Sequence, residues 1–181
     1  MTSLFRHAFR RMFPTVLLVT TALVVAGRPA DAQTLVNCVG TEITTYSPGL
    51  LLTPQMTTRH SDTIFSPCVS SDPSIVAGTV SETASTTLSC LALLGGPPGA
   101  ITTLITWNTG DTSAWHNIVN VQSLGGELIV LQTGTIVSGP FTGATAVGLT
   151  TLTAPPVIPC LAPPGLTRLV GAVTLTIVGT H

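Results

Sequence analysis

Eight segments of this chain alternate apolar and polar residues with a period of two, and that pattern leaves little room for anything but half-buried β-strands. They cover residues 38–47, 57–67, 77–90, 100–108, 112–122, 126–138, 143–153 and 169–178. Turn-forming clusters separate them at 48–54, 70–73, 95–99, 108–111, 124–126, 139–140 and 154–165, rich in Pro, Gly, Asn, Asp and Ser. No stretch carries the 3.6-residue periodicity of an amphipathic helix. About eight short strands joined by tight turns predict an all-β fold, a single antiparallel β-sandwich of Ig-like or jelly-roll-like type, with an open β-barrel as the alternative.

The first residues belong to a different kind of segment. Arg6, Arg10 and Arg11 precede an apolar run from Phe13 to Ala26, and Ala30-Asp31-Ala32 offers a small-x-small cleavage site before Gln33. The run is about 14 residues, short of the roughly 20 that span a bilayer, so it reads as a cleaved export signal. Phe9-Arg10-Arg11-Met12-Phe13 half matches a twin-arginine motif, but Pro14 stands where a large aliphatic residue is usual; general secretion is the preferred route. The chain thus divides into a signal peptide, 1–32, and one secreted β-domain, 33–181, destined for the cell exterior or the cell wall, with no membrane span in the mature part.

Cleavage changes the charge. After Ala32 the chain keeps Arg59 and Arg168 against Glu42, Asp62, Asp72, Glu82, Asp111 and Glu127, a formal charge of −4 with no lysine. Two isolated arginines cannot form the basic stripe that replaces counterions on a nucleic acid. Only 7 % of the residues are charged, and threonine takes over the task of keeping the surface wet, its β-branched carbon at the same time favouring extended backbone.

An oxidising destination turns Cys38, Cys68, Cys90 and Cys160 into candidates for disulfides. Spacing alone leaves three pairings open. Strand register narrows them: if 38–47 and 57–67 form a hairpin whose facing residues sum to 106, Cys38 lies opposite Cys68, and Cys90 is left for Cys160. No Cys-x-x-Cys pair occurs, which argues against a redox couple or a zinc ribbon.

The same register sends Glu42 and Tyr46 to one face with His60 and Asp62, Tyr46 facing His60. Two carboxylates, an imidazole and a phenol together are a conceivable acid–base or metal site, although strands commonly expose such groups on a solvated face. Elsewhere the chain has no nucleophile elbow, zinc helix, phosphate loop or calcium loop. His116 and His181 lack an acid at informative spacing. No cofactor is indicated.

Trp107 and Trp115 fall on neighbouring strands around a hairpin at Asn108-Thr109-Gly110 and read as core fillers. Leu50-Leu51-Leu52 is an apolar run in a predicted loop, expected to fold back over one end of the core. The prolines around Cys160 form a stiff segment expected to be pinned by its bridge.

The chain resembles small secreted proteins of filamentous actinobacteria, a group without an assigned activity. The likeness rests on Cys38-Val39-Gly40-Thr41-Glu42, Tyr46-Ser47-Pro48-Gly49, Ser66-Pro67-Cys68 with Ser71-Asp72-Pro73, Ile105-Thr106-Trp107-Asn108, and Cys160 with Pro163-Pro164-Gly165. It implies secretion and one disulfide-bearing β-domain. The functional expectation is therefore a non-catalytic extracellular protein that binds a partner, glycan or small molecule or serves the cell surface. A small secreted hydrolase using the polar face of the first hairpin, or a secreted enzyme inhibitor, is the alternative.

Overall fold

Alternating side chains give each strand one face to bury, and eight such strands in a computed structural model of the protein wrap into a closed barrel in simple sequence order, β1 to β8. The structure describes residues 33–95, 98–124, 127–153 and 158–179. The expected export segment, the expected turn at Gly125-Gly126 and His181 lie outside them. The strands are β1 (Gln33–Leu50), β2 (Gln55–Ser70), β3 (Gly78–Leu88), β4 (Gly99–Trp107), β5 (Thr112–Leu124), β6 (Glu127–Ser138), β7 (Thr145–Thr153) and β8 (Leu166–Gly179). The helical content of the described residues is two 3-10 turns, Leu91–Leu94 and Ile158–Leu161.

The antiparallel all-β class and the eight strands are those expected. Of the two architectures, the chain takes the barrel and closes it. β1 pairs with β2 along one edge and with β8 along the other, from Gln33↔Gly179 to Leu50↔Leu166. Closure leaves no free edge between the first and last strands, the usual liability of an open sheet.

Both disulfides form as the register argument required, Cys38–Cys68 and Cys90–Cys160. The Trp107 hairpin also forms, with Gly110 at φ +90° and the Trp107 N–H donating to the Asp111 carbonyl at 2.8 Å.

Two apolar plugs fill the barrel ends. At one, Trp107, Trp115, Phe65, Ile105, Ile136 and Leu175 pack around the first disulfide. Trp107 meets Phe141 edge-on with ring centroids 5.8 Å apart, a favourable arrangement of the two ring quadrupoles. Gly148 makes room for the other indole: a Cβ there would sit 2.8 Å from Cη2 of Trp115.

At the opposite end Tyr46, Leu50, Leu128, Leu152, Leu166 and Leu169 pack around the second disulfide, with Leu52 against them. The leucine loop folds back as expected. Its backbone is stitched to both bridged cysteines, Leu52 N–H to the Cys160 carbonyl at 3.1 Å and Cys90 N–H to the Leu51 carbonyl at 2.9 Å.

One seam of the barrel is open. β3 and β4 share only the pairs Gly78↔Trp107 and Thr79↔Thr106, whereas β4 and β5 pair continuously from Gly99↔Val119 to Thr106↔Thr112. Beyond half-buried Val80 and Glu82, the alternate positions of β3 are Ala84 and Thr86, both exposed, before half-buried Leu88. Too few large apolar side chains remain there to draw the strand onto its neighbour, since cross-strand side-chain packing is what holds a sheet together.

Candidate functional site

Between the two plugs lies a polar layer that surrounds a cavity of about 230 Å³. Its walls mix Phe65, Val80, Ile101, Trp115 and Val173 with Glu42, Ser61, Thr63 and Gln132, and Arg59 and Glu82 complete it. Arg59, Glu82 and Ile101 also line an outer groove along the β3/β4 seam. The seam is therefore the way in, with the Arg59–Glu82 ion pair, 3.7 Å apart, at its threshold.

Glu42 is the centre of the polar layer. Its Oε1 accepts hydrogen bonds from Thr44 Oγ1 and Ser61 Oγ, each at 3.1 Å, and its Oε2 accepts from Thr150 Oγ1 at 2.9 Å. Thr44 and Ser61 also share a short hydroxyl contact. A second network follows round the wall: Asn117 Nδ2 donates to Thr103 Oγ1 and to the Trp115 carbonyl, and Gln132 Nε2 reaches Asn117 Oδ1 at 3.4 Å. Buried polar groups satisfied in this way keep their interior place without a large desolvation penalty. The indole N–H of Trp115 is the exception, buried without a hydrogen-bond partner.

The polar face expected on the first hairpin is divided by the sheet. Glu42 and Tyr46 point into the barrel; His60 and Asp62 stand on its convex exterior, their side chains 44 % and 52 % exposed. The cause is a bulge. Cys38 pairs with Cys68, but Gly40 pairs with Phe65, so Ser66 and Pro67 together oppose Val39. Beyond that point facing residues sum to 105, and Tyr46 faces Arg59 in place of His60. A one-residue shift sends every following side chain of the strand to the other face. Pro67, which has no N–H to give a ladder, was the visible hint.

Inside, burial pushes the Tyr46 phenol up to about 12 from 10.0, with the Glu42 charge adding to the rise and Arg59 opposing it. Outside, His60 Nε2 lies 2.9 Å from Asp62 Oδ2 and Nδ1 lies 2.8 Å from Thr83 Oγ1. A hydrogen bond from Ser81, followed by the charge and hydrogen bond of His60, holds the Asp62 carboxyl below its usual value. This row sits across two strands of a convex surface and shares no space with Glu42.

The residues missed in the sequence are Arg59, Ser61, Glu82 and Trp115 as walls of one cavity, and Thr150 as a hydrogen-bond donor to Glu42. His116 lies on the exterior of β5, near Thr102 at 3.4 Å. Among the described residues there is no group of three or more His, Cys, Asp or Glu fit to hold a metal ion, and no helix long and apolar enough to cross a membrane. No protein-family model matches the chain, and no curated protein or solved structure is detectably similar to it.

Proposed function

We propose that this is an extracellular, non-catalytic binding protein that holds one small molecule inside its barrel. The observation that carries this reading is the cavity between two apolar clusters, bordered by the loosely paired β3/β4 seam. Small barrels either fill their interior with side chains or enclose one ligand, and pockets for small molecules combine apolar walls with a few placed polar groups. The lumen has that mixture. Two disulfides fit an extracellular setting, and the export segment before Gln33 supports the same address.

A hydrolase reading has lost its footing, because the carboxylate, imidazole and phenol that suggested it lie on opposite sides of the sheet. Val130 is another wall residue of the cavity, and the test is a fragment panel screened by ligand-observed NMR against the wild type and a cavity-filled Val130→Phe variant. Ligands that bind the wild type and are lost from the filled barrel are the expected result. A panel that binds neither protein, or both equally, overturns the proposal. Mass analysis of the secreted protein is expected to find Gln33 as its first residue.

A further inference from the structure

The charges of the lumen do not balance. Three charged side chains line it, Glu42, Arg59 and Glu82. Arg59 is engaged with Glu82 at the seam, Nη2 to Oε2 at 3.7 Å. Glu42 forms no ion pair among the described residues. Its donors are three hydroxyls, which fix the carboxylate in place and carry no charge. The lumen thus holds one carboxylate that is hydrogen-bonded but has no counter-charge, beside apolar walls.

We infer that the occupant is a small molecule carrying one positive charge on an apolar body, a monoamine or quaternary ammonium compound. The inference rests on reading the cavity as a binding site and deepens that reading. A cavity of about 230 Å³ limits the occupant to a small organic molecule. An ammonium group at Glu42 supplies the missing counter-charge, and the aromatic rings of Phe65 and Trp115 in the same wall attract a cation through their π-faces.

An anion is disfavoured twice, by repulsion from Glu42 and because the arginine is already taken. A neutral ligand leaves Glu42 as it is.

The experiment compares matched ligands by calorimetry and tryptophan fluorescence. One trio is phenethylamine, phenethyl alcohol and phenylacetate; a smaller trio is isoamylamine, isoamyl alcohol and isovalerate. The amine of at least one trio is expected to bind about tenfold or more tightly than its alcohol, a modest share of the Coulomb attraction available at an effective dielectric near 20. Glu42→Gln, nearly the same shape, is expected to abolish that preference while alcohol binding persists. The comparison within the wild type needs no variant to fold. If alcohol or carboxylate binds as well as the amine, the charge inference fails and the cavity reading stands. If amine binding survives unchanged in both Glu42→Gln and Val130→Phe, it is exterior binding and the inference fails. If none of the six binds, the inference fails, and the fragment panel judges the cavity on its own.

Discussion

Thr150 on β7 donates its hydroxyl hydrogen to Oε2 of Glu42 on β1 at 2.9 Å, reaching across the lumen past the intervening β8, although 108 residues separate the two. The bond ties two strands that have no ladder between them. It also fixes the orientation of the one interior carboxylate without a cation.

Thr150→Val keeps the side-chain shape and removes the donor. An interior carboxylate oxygen then loses its partner, and the expected destabilisation is about 1–3 kcal/mol. Chemical denaturation measures it, and Thr150→Ser is expected to recover most of the loss. A valine variant as stable as the wild type would show that the bond contributes nothing.

Tyr46 is the only tyrosine in the chain, so tyrosinate absorbance reports on it alone. The folded protein is expected to titrate near pH 12 and the unfolded chain near 10.0. The sign follows from the raised value: the folded state keeps the proton longer, so the stabilisation is complete below pH 10.0 and is lost as pH rises through about 12. Reversible titration of the folded protein at an ordinary tyrosine value would contradict this burial.

The second disulfide spans 70 residues and the first 30. On the chain-entropy account the longer loop contributes about 4 kcal/mol and the shorter slightly less. Cys90→Ala with Cys160→Ala also loosens the leucine plug, because both cysteine backbones hold the Leu51 and Leu52 backbone. We expect this variant to lose more stability than Cys38→Ala with Cys68→Ala in denaturant unfolding; the reverse order would refute the loop argument.

Trp107 and Trp115 are equally buried, each 2 % exposed, yet only one has a partner for its indole N–H. Trp107 Nε1 donates to Ser113 Oγ at 2.8 Å, and Ser113 passes the chain on to the Pro140 carbonyl at 2.8 Å. Replacing each by Phe removes a similar volume, but Trp107→Phe also breaks a buried hydrogen bond. It is expected to cost about 1 kcal/mol more than Trp115→Phe, by thermal or denaturant unfolding. Equal losses would show that Trp115 has a partner of its own.

Much of this architecture is local and was legible along the chain. Alternation located all eight strands to within a few residues, because a strand that buries one face must repeat every second residue. Gly110 and its neighbours marked a hairpin, and the facing positions of Cys38 and Cys68 gave the disulfide pattern. The expected polar face failed two residues further along, at Ser66-Pro67, where a bulge moved His60 and Asp62 outside and brought Arg59 and Ser61 inside. Alternation states that a strand has two faces; it does not state which face becomes the interior after a bulge.

The sequence by itself determined the strands, the turns and the cysteine pairing, all of them set by backbone preference and near-neighbour register. Tertiary structure decided that β1 meets β8, that β3 parts from β4, that Glu42, Ser61, Gln132 and Trp115 surround one cavity, and that Thr150 bonds Glu42. The reason is physical. Closure and cavity depend on how eight twisted strands fill a common interior, and contacts between residues a hundred positions apart leave no trace in the period of any single strand.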